Sequence, residues 1–286
     1  MKNKMKFLPY LVSLAVLGLA TITCTLAVQP KQNAKLLVYE GFENGAGVFK
    51  RQEGCCTSSI SKPVKAGSKS LKVQLGGTNT DRPERTEVKL PPFPSMSERW
   101  IGWSVYIPKS DDSRGIVTFQ LIRKPGGSGR FKGYAASFQL SRKNGRFQFT
   151  RNSRGTEDKV GRSHWDAGAI PYDRWINLVL HYKGSSKSDG VCELYVDGKL
   201  KVQYRGSTEA PRDKGPIFKM GQYVGIGNRP SGVKIVYFDE FRVGDSHASL
   251  AAVSPGGSKP YFRSSSSNES SVTSNSKGGT MEKHRI

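Results

Sequence analysis

The sequence predicts an all-β protein, two antiparallel sheets packed as a sandwich or jelly roll. Three observations carry this reading. Short runs of strand composition follow one another through the middle of the chain, Gly- and Pro-rich turns separate them, and no stretch repeats its apolar residues with a helical period. The runs, in order, are Leu36–Glu40, Ser70–Leu75, Arg85–Leu90, Trp100–Ile107, Ile116–Arg123, Ala135–Ser141, Arg146–Arg151, Trp175–Lys183, Val191–Val196, Leu200–Tyr204, Pro216–Val224 and Lys234–Val243. Asn144-Gly145 and Asp197-Gly198 stand between runs as two-residue hairpin turns. Pro125-Gly126-Gly127-Ser128-Gly129 and Pro230-Ser231-Gly232 read as mobile loops placed to border a cleft.

The two ends fall outside this pattern. Lys2, Lys4 and Lys6 precede an apolar run from Phe7 to Ala20, and Thr25-Leu26-Ala27 follows as a cleavage site, the layout of a secretory signal peptide over residues 1–27. The run is short for a membrane-spanning helix. Cys24 offers a lipidated alternative, but Thr21-Ile22-Thr23 ahead of it matches the small-residue requirement of lipid attachment poorly, so cleavage and export are expected. From Ser246 to Ile286 the composition turns to Ser, Gly and Asn, with four consecutive serines at Ser264-Ser265-Ser266-Ser267. Such a segment buries too little apolar surface to offset its ordering entropy, and a disordered tail is expected over 246–286. Residues 28–245 remain as one domain.

The 286-residue chain carries 45 Lys and Arg against 23 Asp and Glu, a formal net charge of +22. The leader holds three lysines and the tail five basic against two acidic residues, which leaves +16 on the domain. A field of that sign concentrates polyanions and speeds their arrival. Nucleic acid is one polyanion, but an export signal argues against it and no nucleic-acid module is present. An acidic polysaccharide is the expected partner of a secreted monomer with no membrane association. After removal of the leader, Cys55, Cys56 and Cys192 remain. Cys192 shares parity with Leu194 and Val196, which predicts a buried thiol, while a bridge to it from Cys55 or Cys56 stays open in an oxidising compartment. No Cys or His spacing marks a zinc site, and no cofactor is expected; a calcium ion held by carbonyls and carboxylates would leave no signature in sequence.

Three runs place polar residues where a core strand has no use for them. Alternate side chains of a strand face opposite sides. Thr86, Val88 and Leu90 share one face, and Arg85, Glu87 and Lys89 the other; Phe119 and Leu121 oppose Gln120; Phe218 and Met220 oppose Lys219, Gly221 and Tyr223. With the apolar faces in the core, a basic, tyrosine-bearing sheet surface is left over, suited to a long acidic ligand. For Arg85 and Glu87 the plainer alternative is an ion pair within the sheet, and for Tyr223 an aromatic on a solvated face.

Taken together, Arg85-Thr86-Glu87, Gln120 in a central strand and Phe218-Lys219-Met220-Gly221-Gln222-Tyr223 resemble the β-jelly-roll polysaccharide lyases related to heparin lyase I and glucuronan lyase, and more loosely the alginate lyases of that fold. The framework Trp175 to Lys183, Gly190, Tyr195-Val196-Asp197-Gly198 and Tyr237-Phe238-Asp239 adds to the likeness, though such pieces occur in many concanavalin-like sandwiches. The resemblance implies β-elimination at a uronic acid. That reaction must neutralise a carboxylate, remove the C5 proton beside it and protonate the departing O4. Carried across, Tyr223 resembles the catalytic tyrosine, Lys219 the lysine that accompanies it, Arg85 the arginine on the substrate carboxylate and Gln120 the glutamine that helps neutralise it. Lys89 and Glu87, on the same face, are further substrate contacts.

One departure matters. These lyases often carry a histidine two residues after the strand glutamine as general base, and here that position is Ile122. Three candidates for the base stay open: His164 in the polar stretch Arg162-Ser163-His164-Trp165, His181, whose parity is opposite to Leu180 and Tyr182, and Tyr223 itself acting as base and acid. The missing histidine also keeps open a non-catalytic protein that binds acidic glycans. A glycoside hydrolase is disfavoured, because Asp239 and Glu240 are adjacent and so face opposite sides of a strand.

Overall fold

Alternation at period two turns the expected runs into strands, and pairing sorts them into two layers. The computed structural model describes residues 35–49, 51–77, 82–111, 115–123, 135–152, 161–225 and 228–257. The leader region, the Pro125–Gly129 loop and residues 258–286 lie outside the described residues. In chain order the strands are β1 (Leu36–Glu40), β2 (Arg51–Gly54), β3 (Thr57–Ile60), β4 (Ser70–Leu75), β5 (Arg85–Lys89), β6 (Glu98–Tyr106), β7 (Ile116–Arg123), β8 (Ala135–Lys143), β9 (Arg146–Asn152), β10 (Arg162–Ala169), β11 (Trp175–Lys183), β12 (Val191–Val196), β13 (Lys199–Arg205), β14 (Pro216–Tyr223) and β15 (Lys234–Gly244). A single turn of helix, α1 (Leu250–Val253), follows.

One sheet has eight strands in the order β13-β12-β11-β6-β15-β4-β3, with β1 also on β15; the other has seven, in the order β10-β9-β8-β7-β14-β5-β2. All pairings are antiparallel, as a jelly-roll sandwich requires. Asn144-Gly145 and Asp197-Gly198 close the β8–β9 and β12–β13 hairpins, each residue at a positive φ, the conformation that matches the right-handed strand twist.

The core lies between the sheets and is rich in aromatic rings. Trp103 of the eight-stranded sheet meets Phe119 and Phe218 of the seven-stranded sheet at 5.2 and 5.3 Å between centroids, and Phe218 meets Phe241 at 5.2 Å. These rings are fully or almost fully buried. The parities read from β5, β7 and β14 hold: Thr86, Val88, Phe119, Leu121, Phe218 and Met220 point inward.

Four expectations need correction. Strands β2, β3 and β10 were not anticipated, because Gly54-Cys55-Cys56 interrupts the first two and Arg162–Ala169 lacks clean alternation. Cys55 and Cys56 bridge to each other, and Cys192 is a free, buried thiol, so no bridge reaches it. Pro230–Gly232 does not line the cleft described below. The domain does not stop at Asp245: Ala248 and Val253 are buried against Val179, and a Cβ on Gly102 of β6 would sit 1.9 Å from the Val253 carbonyl oxygen. Asn177 Nδ2 donates to the Pro255 carbonyl and the Gly256 N–H to Glu240 Oε2, so the docked chain runs to Gly257.

Candidate active site

The outward faces of β5, β7 and β14 meet in a cleft of about 560 Å³ on the seven-stranded sheet. Arg85, Lys89, Gln120, Lys219 and Tyr223 all line it, as their parity predicts. Cross-strand register explains the convergence. Lys89, Lys219, Gln120, Gln139, Thr150 and His164 are successive partners across β5, β14, β7, β8, β9 and β10. At the usual strand spacing this polar row spans roughly 24 Å, a length that suits a polymer more than a small molecule.

An irregularity lies beside Tyr223 on its β7 side. The pairing of β14 with β7 shifts register between Met220 and Tyr223, while pairing with β5 stays regular and sets Tyr223 opposite Arg85. The Arg85 guanidinium lies 4.3 Å from the centre of the Tyr223 ring. Gly221 makes this bulge possible: its φ is +145°, and a Cβ there would sit 2.2 Å from the Thr86 carbonyl oxygen. Gly221→Ala is therefore expected to cost about 2 kcal/mol of stability, read as a lowered melting temperature, and to depress turnover by displacing Tyr223. An unchanged melting temperature would show that the bulge tolerates a side chain.

The cationic residues are held by carboxylates, and the chief one was not anticipated from sequence. Glu53 of β2 accepts from Lys89 at 2.6 Å through Oε1, and from Arg85 at 3.1 Å and from Lys219 through Oε2. Arg85 also donates to Glu84 at 3.0 Å and to Glu87 at 3.5 Å. Burial acts to raise the Glu53 pKa, but the bonds from Lys219 and Lys89 outweigh it and hold the carboxyl at about 2. Glu87 behaves in the opposite way. Burial dominates the pull of Lys219 and Arg85 and pushes it up to about 7. Glu87 is 2% exposed and does not line the cleft, so its expected role as a substrate contact gives way to a buried carboxyl 3.5 Å from Arg85 and 3.8 Å from Lys219.

Neither histidine stands beside Gln120. His181 lies on β11 in the other sheet, between Glu98 and Glu193 at 2.8 and 2.9 Å and stacked on Trp100 at 4.0 Å between centroids. It cannot reach a substrate in the cleft. His164 is on β10, not in a loop; it is exposed, bonds Thr150 Oγ1 at 3.0 Å and sits three strands from Gln120, roughly 14 Å. Ile122 and its cross-strand partner Ile217 form an apolar part of the lining where a histidine was expected. Sequence reasoning also missed Gln139, Thr150, Asn152, Arg82 and Arg162 in the lining. The signal for Gln139 was present, since it alternates with Phe138 and Leu140. Among the described residues, no group of three or more His, Cys, Asp or Glu is arranged to hold a metal ion. No helix among them is long and apolar enough to cross a membrane.

The family model described as polysaccharide lyase matches residues 42–242, and the chain belongs to that family. It is a polysaccharide lyase. Among solved structures it is similar to the endo-β-1,4-glucuronan lyase of the fungus Trichoderma reesei, at 19% identity and a TM-score of 0.61 over 78% of this chain and 100% of that one. It is also similar to a carbohydrate esterase of the Shiga toxin-encoding bacteriophage phi24B (10% identity, TM-score 0.50, 74% and 99% coverage). The alginate lyase vAL-1 from Chlorella virus matches at 15% identity and a TM-score of 0.49, covering 66% and 88%. At these identities the likenesses to the glucuronan lyase and to the phage esterase speak for the fold alone. No curated protein matches the chain.

Proposed function

We propose that the protein is an exported lyase that cleaves a uronic-acid-containing polysaccharide by β-elimination, with Tyr223 as the proton-transfer group. The observation that carries this reading is the convergence of Tyr223, Arg85 and Gln120 in one polymer-length groove. Gln120, with Gln139 beside it in register, supplies neutral amide donors for the substrate carboxylate, where charge builds as the C5 proton leaves. Tyr223 takes that proton on its phenolate oxygen, C4=C5 forms, the C4–O4 bond breaks, and the hydroxyl so formed gives the proton to the departing O4, which restores the phenolate. Arg85 faces the Tyr223 ring throughout and stabilises negative charge there. With Ile122 in the lining and the histidines distant, a tyrosine that serves as both base and acid is the simplest assignment. The run of Lys2, Lys4 and Lys6 before Phe7–Ala20 supports export.

Incubation with polyuronates while following the absorbance of the unsaturated product tests the reading directly. Turnover of at least one polyuronate is expected, with none on neutral glucans. Binding should weaken steeply with added salt, because the +16 of the domain attracts a polyanion through a field that salt screens beyond a Debye length. Tight binding of every polyuronate tested with no unsaturated product from any would overturn the proposal.

A further inference from the structure

The three cations that β5 and β14 turn toward the cleft do not meet a ligand as bare charges. Glu53 engages all of them, and Arg85 is shared further with Glu84 and Glu87. Glu53 is the carboxylate of this set that lines the cleft. Its backbone is firmly placed: Glu53 pairs with Glu87 in register, and Gly54 after it lies where a Cβ would meet the Arg85 carbonyl oxygen at 1.9 Å. Cys55 and Cys56, which follow, are covalently joined.

Resting on the reading of this groove as a polyuronate site, we propose that Glu53 determines specificity by charge balance, so that the groove takes a polymer with one carboxylate per uronic acid and rejects a sulfated one. A single carboxylate finds the amide donors of Gln120 and Gln139 near the middle of the polar row. An added sulfate on the β5 side would meet cations already compensated and the Glu53 carboxylate itself, and like charges at contact distance repel. Glu53 does not relieve that repulsion by taking up a proton near neutrality, since Lys219 and Lys89 hold its carboxyl at about 2 against the effect of burial. Its second effect is positional: two of its three partners, Arg85 and Lys219, flank Tyr223 on β5 and on β14 itself.

The test compares an unsulfated glucuronate tetrasaccharide with a heparin-derived sulfated tetrasaccharide, at one salt concentration. Affinities come from calorimetry, with kcat and KM on polyglucuronate measured alongside. Charges elsewhere on the protein act equally on wild type and variants, so the quantity read is the change in the sulfated-to-unsulfated affinity ratio. Glu53→Gln is expected to raise that ratio about tenfold or more, the worth of one charge-assisted contact, and to lower kcat on polyglucuronate more than it changes KM. Lys89→Met removes charge of the other sign and is expected to lower the ratio, a reversal that a merely structural role does not produce. An unchanged ratio in folded Glu53→Gln would overturn the proposal; should that variant not fold, an unchanged or raised ratio in Lys89→Met does so. These failures differ from that of the lyase reading itself, which shows as no product from wild type on any polyuronate.

Discussion

Tyr223→Phe is expected to fold and bind as wild type does and to lose at least about a hundredfold in turnover, the lower range for general acid–base catalysis. The substitution keeps the ring, and with it the contact with the Arg85 guanidinium at 4.3 Å, because a cation over an aromatic face needs no hydroxyl. It keeps the backbone pairing of Tyr223 with Arg85. What goes is the only atom of that side chain able to carry a proton. Rates from the unsaturated product, melting temperature and calorimetric affinity separate these effects. Gln120→Ala should also depress turnover, but through lost neutralisation of the carboxylate. His181→Ala should leave turnover alone, since His181 is held by Glu98 and Glu193 in the other sheet. Turnover of Tyr223→Phe within a few-fold of wild type would move proton transfer elsewhere in the cleft, with Lys219 the first group to examine.

The contrast between Tyr223 and His181 shows what a sequence can and cannot convey about such a site. Local alternation is enough to set Arg85, Gln120, Lys219 and Tyr223 outward, because each strand carries apolar residues on its other face to fill the core. The same alternation sets His181 outward, yet the outward faces of the two sheets look away from each other. Which sheet a strand joins depends on pairing between distant segments, which a period of two does not encode. Glu53 escaped notice for a related reason, since β2 is four residues long and runs into Gly54 and the cysteine pair.

Alternation also misleads where polar groups face inward. Arg142 and Gln222 share parity with core residues, and the Arg142 guanidinium donates to Gln222 Oε1 at 2.7 Å between the sheets. Gln222 in turn donates to the carbonyls of Val73 and Lys234 in the opposite sheet. Arg123 likewise points inward to Asp213, at 3.0 Å. Each group is compatible with burial only because a partner is present, and the partner lies far away in sequence. The Arg142–Gln222 pair, with Gln222 on β14 itself and bonded on to the opposite sheet, helps fix the strand that carries Lys219 and Tyr223.

Truncation after Asp245 is expected to destabilise the protein by about 4 kcal/mol, near 10 °C in melting temperature for a domain of this size, whereas truncation after Gly257 should leave the melting temperature unchanged. The first cut removes Val253, which is fully buried, and uncovers Val179 and the outward face of β6. It also strips partners from buried groups: Glu240 loses the Gly256 N–H at 3.1 Å and Arg242 loses the Gly257 carbonyl at 3.1 Å. Glu240 and Arg242 remain paired at 2.6 Å, but with a flank opened to water. The second cut removes only the Ser-rich stretch, whose composition offers little to dock. A further variant separates the docked segment from a general loss of chain. Gly102→Ala should destabilise the full-length protein, because its Cβ would collide with the Val253 carbonyl at 1.9 Å. In the protein cut after Asp245 the same change should be neutral or slightly stabilising, since glycine within a strand is otherwise unfavourable. Equal effects of Gly102→Ala in both backgrounds would mean that residues 246–257 do not rest on β6 in solution, and the expected loss from the first truncation would then fail with it.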